Sequence, residues 1–322
     1  MKKTFKILSL LIIIVISIVI IYGSYFYFFS DAPITKGVIE YREEYKKDLR
    51  LDLYLPTKTV YKKSPVVVFF HGGAWITGAK EALNFNRFKV SINQLRNAGY
   101  AIVSPNYTLA RKNSPPFPNC IIDAFDALEW IELNSEKYNF DMNNIGVFGE
   151  SAGAHIALML AYSGNKFKPD SNARIKINYV IDAYGPSFLE VLFDMPRMDT
   201  LDMILDKLPE NIRKKVDLTE KLFGFDPYAD SLRTINYMAD YSPINYVNKN
   251  APPTLIIHGN NDRLVPLSQS EILNHSLDSL NVESEFHILK GVDHAFIGIN
   301  SKQRSDVQKW IVDFVEKHTS AN

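Results

Sequence analysis

Val66-Val67-Val68-Phe69-Phe70 is an unbroken run of β-branched and aromatic residues, opened by Pro65. A strand with one wet face alternates apolar and polar side chains. A run with no polar position must be buried on both faces, as a strand is inside a parallel sheet covered by helices. Further strands are read at residues 101–103, 145–148, 177–183, 255–257 and 286–289. Between them lie helical patterns. Ile121, Phe125, Leu128 and Ile131 share one face of residues 120–133, residues 152–162 are rich in Ala and Leu, and Val307, Trp310, Ile311 and Phe314 mark a closing amphipathic helix. Strand alternating with helix predicts an α/β domain with a mostly parallel central sheet flanked by helices. Ahead of this series, Leu49, Leu51, Leu53 and Leu55 alternate with Arg50, Asp52 and Tyr54 until Pro56 stops the strand. Residues 186–250 break the rhythm and are rich in Met, Phe, Tyr and charge. They read as a helical insertion, either a lid over the carboxyl edge of the sheet or a decoration away from it.

The N-terminus has another character. Lys2, Lys3 and Lys6 precede an uncharged apolar run at residues 7–29. As a helix rising about 1.5 Å per residue, that run spans about 34 Å, enough for a bilayer core of about 30 Å. Tyr22, Tyr25 and Tyr27 near its far end suit the membrane interface, and the lysines are expected to stay inside. The organisation expected is a cytoplasmic basic segment (1–6), a single-pass signal anchor (7–29), a linker (30–37) and an extracytoplasmic domain (38–322). The alternative is a cleaved signal peptide and a secreted protein. The run is longer than a usual signal core, and Ser30-Asp31-Ala32-Pro33 is a poor cleavage site.

Composition narrows the remaining classes. Lys plus Arg and Asp plus Glu each number 36, giving zero net charge, with no basic stripe to suggest a nucleic-acid partner. Cys120 is the sole cysteine, so no intrachain disulfide forms. Without a second cysteine or a histidine-rich cluster at ligand spacing, neither a metal site nor a cofactor is expected. Oligomeric state is not legible.

The strongest local motif is Gly149-Glu150-Ser151-Ala152-Gly153, placed after one expected strand and opening an expected helix. Glycines flanking such a turn keep Cβ atoms away from neighbouring elements and lift the serine to the top of the sheet. There the free N–H groups of a helix start favour developing negative charge. His71-Gly72-Gly73-Ala74-Trp75 directly follows the 66–70 strand, and its N–H groups with that of Ala152 suit an oxyanion hole. A serine nucleophile needs a base and an orienting acid, in the order serine, acid, histidine for this arrangement. Asp262 follows Ile256-Ile257-His258-Gly259-Asn260-Asn261, and His294 follows Gly291-Val292-Asp293, each just past a strand end. His155 is expected to be packed, His258 to be held at its strand end, His287 to lie on a strand surface and His71 to brace its own loop. Asp293 is too close in sequence to orient His294, and Glu150 is expected to anchor the turn.

On these motifs the chain resembles the α/β-hydrolase superfamily, specifically its carboxylesterase and lipase members, from about residue 38 to the C-terminus. The matching stretches are Leu51-Asp52-Leu53-Tyr54-Leu55-Pro56, residues 66–78, 149–157, Ser242-Pro243, 257–266 and 291–296. The resemblance implies an α/β-hydrolase fold with Ser151, Asp262 and His294 as catalytic triad and Gly72, Gly73 and Ala152 as oxyanion donors. It implies a small-molecule ester as substrate, cleaved through an acyl-enzyme. Ala74-Trp75 replaces the third glycine of the hormone-sensitive-lipase-like branch, and Tyr107-Thr108-Leu109-Ala110-Arg111 replaces its Y-R-L-A-P-E stretch. The tryptophan form is similar to bacterial esterases that include feruloyl and acetyl-xylan esterase relatives, and to kynurenine formamidases. Short-to-medium acyl esters or acylated carbohydrates are the expected substrates. A serine amidase or peptidase of the same fold is the rival enzyme, and an inactive hydrolase fold used for binding is the rival of another class.

Overall fold

Val66, Val68 and Phe70 face one buried layer, and Val67 and Phe69 face another, so the apolar run sits at the centre of a sheet covered on both sides. The computed structural model describes residues 41–84, 87–170, 175–193 and 218–320. The expected segments 1–6, 7–29 and 30–37 lie outside the described residues. Among the described residues, no helix is long and apolar enough to cross a membrane.

The sheet has eight strands: β1 (Tyr41–Lys46), β2 (Leu49–Tyr54), β3 (Ser64–Phe70), β4 (Ala101–Pro105), β5 (Phe140–Glu150), β6 (Ile177–Ala183), β7 (Thr254–Gly259) and β8 (Ser284–Leu289). Their spatial order is β1-β2-β4-β3-β5-β6-β7-β8. β2 pairs antiparallel with β1 and β4, and all other pairs are parallel. The expected mostly parallel sheet with flanking helices is what forms.

The longer helices are α1 (Lys89–Asn97), α2 (Asn119–Leu133), α3 (Ala152–Tyr162), α4 (Ser231–Asp240), α5 (Ser268–Ser279) and α6 (Ser301–Lys317). α2, α3 and α5 bury Ile121, Ile156 and Leu273 on one face of the sheet. α1 and α6 bury Ile92, Leu95, Val307, Ile311 and Phe314 on the other. Full burial of such a side chain stabilises by roughly 1.5–3 kcal/mol. Phe148 on β5 meets Phe69 edge-on at 5.1 Å and Phe88 at 4.8 Å, which ties the central strands to the start of α1.

The alternation expected for residues 49–55 is observed, with Leu51 and Leu53 facing one buried layer and Tyr54 the other. Asp52 and Tyr54, opposite the leucines, are also fully buried. Lys80 explains the first: its ammonium sits 2.6 Å from Asp52 Oδ1 and is itself buried, so the carboxylate is paired rather than wet. Tyr54 packs under the guanidinium of Arg96.

Within 186–250, the described part contains α4, a turn at Leu189–Leu192, a short helix at Leu218–Phe223 and a 3-10 turn at Pro243–Tyr246. Ser242 Oγ accepts from Leu189 N at 2.8 Å within it, and it is tied to the body where Gln269 Oε1 accepts from Ser187 N at 2.9 Å. Residues 194–217 of the expected insertion lie outside the described residues.

The order of the strands across the sheet switches sides at β3: β4 lies on one side of β3, while β5 and all later strands lie on the other. A crevice opens at the carboxyl end of such a switch point. The loops after β3 and β5 are the ones that carry the two glycine-rich motifs.

Candidate active site

β5 ends at Glu150, and α3 begins at Ala152, leaving Ser151 alone to make the turn with φ 51° and ψ −121°. This is a costly backbone for a residue with a Cβ, of order 1–3 kcal/mol. The turn is held by its surroundings. Ser151 N donates to Ala183 O at 2.9 Å, and the two glycines admit the close approach. A Cβ on Gly149 would lie 2.2 Å from Gly153 O, and one on Gly153 would lie 2.1 Å from Phe70 O. Glu150 anchors the turn as expected. Its Oε2 accepts from Arg87 Nη1 at 3.0 Å and from Tyr184 OH at 2.7 Å.

The loops after β7 and β8 bring Asp262 and His294 to the same edge. Ser151 Oγ lies 3.0 Å from His294 Nε2. His294 Nδ1 lies 2.7 Å from Asp262 Oδ2. Asp262 Oδ1 accepts from Leu264 N at 2.9 Å and Val265 N at 2.8 Å. Burial alone would raise the Asp262 carboxyl. Hydrogen bonds from His258, His294 and Val265 N outweigh it and hold the group well below the usual carboxylate range. Asp262 therefore stays ionised, and a carboxylate acceptor on Nδ1 leaves Nε2 as the nitrogen able to take a proton from Ser151.

The loop after β3 lies against Ser151: a Cβ on Gly72 would sit 3.4 Å from Ser151 Cβ. The N–H of Gly72 faces Glu150 Oε1 at 3.5 Å. Among the described residues, the N–H groups of Gly73 and Ala152 have no hydrogen-bond acceptor. Of the three expected oxyanion donors, two are thus free at the turn and one is directed to a carboxylate. Tyr107 fixes the loop by donating to His71 O at 2.7 Å and stacking on the His71 ring at 4.3 Å.

The other acids and histidines fall into place. His71 Nδ1 contacts Gly72 O at 2.8 Å and braces its loop. His155 is fully buried against Trp75 and Phe117, with Nε2 donating to Tyr241 O at 2.7 Å. Burial drives its pKa down to about 4, against the raising effect of that bond, so the ring is neutral. Asp293 accepts from His294 N and pairs with Arg263, away from the imidazole. His287 is half-buried and stacks flat on Trp310 at 3.9 Å, more covered than a strand-surface residue was expected to be. His258 was expected only to be held at its strand end. Its Nε2 also lies 3.3 Å from Asp262 Oδ2. The signal for this contact was the spacing of four residues across a tight turn. Among the described residues, no group of His, Cys, Asp and Glu forms a metal-binding cluster.

Several known proteins are similar to this chain. A BD-FAE family model matches residues 51–277. The esterase LipC of Mycobacterium tuberculosis is 27% identical over 256 residues, covering 76% of this chain and 56% of that protein. The probable carboxylic ester hydrolase LipM of the same organism is 28% identical over 239 residues, covering 73% of this chain and 49% of that protein. The chain spans about half the length of these curated relatives. Among solved structures, a truncated carbohydrate esterase from gut microbiota has the same fold with a TM-score of 0.66 at 22% identity, covering 89% of this chain and all of that one. The eight-stranded sheet and its flanking helices fit the α/β-hydrolase fold. With more than half of its length matched by that one family model, the chain belongs to the BD-FAE family.

Proposed function

We propose that the protein hydrolyses carboxylic esters through an acyl-enzyme on Ser151. The observation that carries this reading is the hydrogen-bonded line from Ser151 Oγ to His294 Nε2 (3.0 Å) and from His294 Nδ1 to Asp262 Oδ2 (2.7 Å). Ser151 Oγ attacks the ester carbonyl carbon while its proton passes to His294 Nε2. Asp262 keeps the imidazole oriented and offsets its positive charge. The carbonyl oxygen, now an anion, accepts from the N–H groups of Gly73 and Ala152 at the strained turn. Gly72 supports the loop through Glu150 instead. His294 gives the proton to the departing alcohol, then activates water to release the acid and restore Ser151.

Within this class the proposed substrates are short-to-medium acyl esters or acylated carbohydrates. The domain is proposed to begin near residue 38, with residues 186–250 acting as a lid over the crevice. The basic residues Lys2, Lys3 and Lys6 ahead of the apolar run 7–29 support a single-pass anchor with the hydrolase domain outside the cytoplasm. Carbonate-resistant sedimentation with membranes supports that anchor, and a soluble secreted product contradicts it.

The test of activity is hydrolysis of p-nitrophenyl esters of increasing acyl length by wild type and Ser151→Ala. Turnover of esters that falls by about 10⁴-fold or more in the mutant supports the reading. Equal turnover in both contradicts it.

A further inference from the structure

Asp262 carries two histidines, and the proposed reaction uses one of them. His258 closes β7 with its side chain fully buried. Its Nε2 lies 2.9 Å from Val265 O and 3.3 Å from Asp262 Oδ2. Its Nδ1 lies 2.7 Å from Ser270 Oγ, at the start of α5. A carbonyl oxygen can only accept, so Nε2 carries the hydrogen, and in that tautomer Nδ1 accepts from the Ser270 hydroxyl. That N–H faces both Val265 O and Asp262 Oδ2, the oxygen that serves His294.

The contacts close a ring. Val265 N donates to Asp262 Oδ1 at 2.8 Å, while Val265 O accepts from His258. The acid and the second histidine therefore grip one residue from its two peptide sides. Ser270 links the ring to a helix outside the loop. A carboxylate on a tight turn would otherwise be free to rotate about its side-chain bonds. Here rotation of Asp262 breaks contacts at both oxygens.

We propose that His258 is a positioning residue for ester hydrolysis: its imidazole locks the 259–265 loop so that Asp262 Oδ2 stays aligned with His294 Nδ1. The inference rests on the ester-hydrolase reading above. Misplacement of a catalytic group by about 1 Å costs on the order of 10²-fold in rate. The acid acts on the base and not on bound substrate, so the loss falls on kcat.

The test compares His258→Leu, which removes the donor, with His258→Gln, whose carboxamide returns an N–H near the place of Nε2. Full-length proteins are assayed on a p-nitrophenyl ester, with thermal melts recorded for each. The expected result is a folded His258→Leu with kcat down about 10- to 100-fold and KM within about twofold, and a His258→Gln that recovers most of the loss. Ser270→Ala, which deletes only the hydroxyl on Nδ1, is expected to lower kcat several-fold at constant KM, and it carries the test where His258→Leu does not fold. The proposal is overturned by wild-type kcat in folded His258→Leu, by His258→Gln no better than leucine, or, where leucine does not fold, by wild-type kcat in Ser270→Ala. A wild-type enzyme that no fluorophosphonate labels at Ser151 overturns the ester-hydrolase reading itself, and this is seen without any substitution.

Discussion

Around Asp262 both side-chain oxygens are engaged. Oδ1 takes two backbone N–H groups, and Oδ2 faces His294 Nδ1 and His258 Nε2. Around Ser151 the opposite holds. Ser151, Ala74 and Trp75 all sit at positive φ, and the N–H groups of Gly73 and Ala152 have no acceptor among the described residues. Between Gly259 and Val265, no residue is at positive φ. In the proposed reaction the acid must hold a permanent charge still, and saturation with donors does that. In the same proposal the Ser151 side must meet a charge that exists only during reaction. Donors already bonded within the protein would have to be broken first, so free donors on a rigid backbone serve better.

Asp182 sharpens the contrast from within the same sheet edge. It is fully buried like Asp262, with Oδ1 accepting from Gly185 N at 2.8 Å, but Oδ2 has no hydrogen-bond partner among the described residues. Burial dominates, and the pKa is pushed up to about 7 despite Gly185 N and the nearby His258. Two buried aspartates close to one histidine are thus shifted in opposite directions by the number of donors they receive.

The strongest blow to the saturated side is Asp262→Asn. The side chain keeps its size and an acceptor, but the amide cannot hold His294 in the tautomer that frees Nε2. Loss of kcat by about 10⁴-fold with a near-native melt is expected. On the strained side, Gly73→Ala is the corresponding break. Its Cβ would lie 2.1 Å from Thr77 O at a φ of +129°, so the main chain must move and carry its N–H with it. A fall of about 10²- to 10³-fold in kcat for esters checks this.

Smaller effects probe what supports each side. Glu150→Gln keeps an acceptor for Tyr184 but removes the ion pair with the partly exposed Arg87. A several-fold loss of kcat and a modest drop in melting temperature are expected, read by assay and calorimetry. The least effect concerns pH. With a folded pKa raised above the unfolded value of about 3.8, Asp182 binds more protons folded than unfolded. Its contribution is full below about 4 and is lost as pH rises through about 7. The melting temperature of Asp182→Asn minus that of wild type should therefore rise from pH 4 to 8. A flat difference would mean that Asp182 is not shifted upward.

Legibility followed the same division. The 66–70 strand was readable because burial on both faces excludes polar residues from it. The serine turn was readable because only glycines tolerate contacts near 2 Å at residues 149 and 153. Asp262 and His294 were picked out from their places after strand ends, and the structure sets them 2.7 Å apart. Contacts between residues distant in sequence were not readable. The burial of Asp52 was not readable because its partner Lys80 comes from another segment. α1 and α5 were not marked as helices, since each buries few apolar residues among polar ones, and α1 hides the charged Arg96 beneath its bond to Leu55 O. The turn of Gly72 toward Glu150 depends on the Arg87 and Tyr184 contacts that hold that carboxylate, and no motif records them.

The most direct measurement is covalent labelling of the full-length protein with a fluorophosphonate, followed by peptide mass mapping, in wild type and His294→Ala. The account predicts a single adduct on Ser151 in wild type, formed at least about 10³-fold more slowly when His294 is removed. No adduct on Ser151, or equal labelling rates in the two proteins, would contradict the claim that His294 and Asp262 activate Ser151 as a nucleophile.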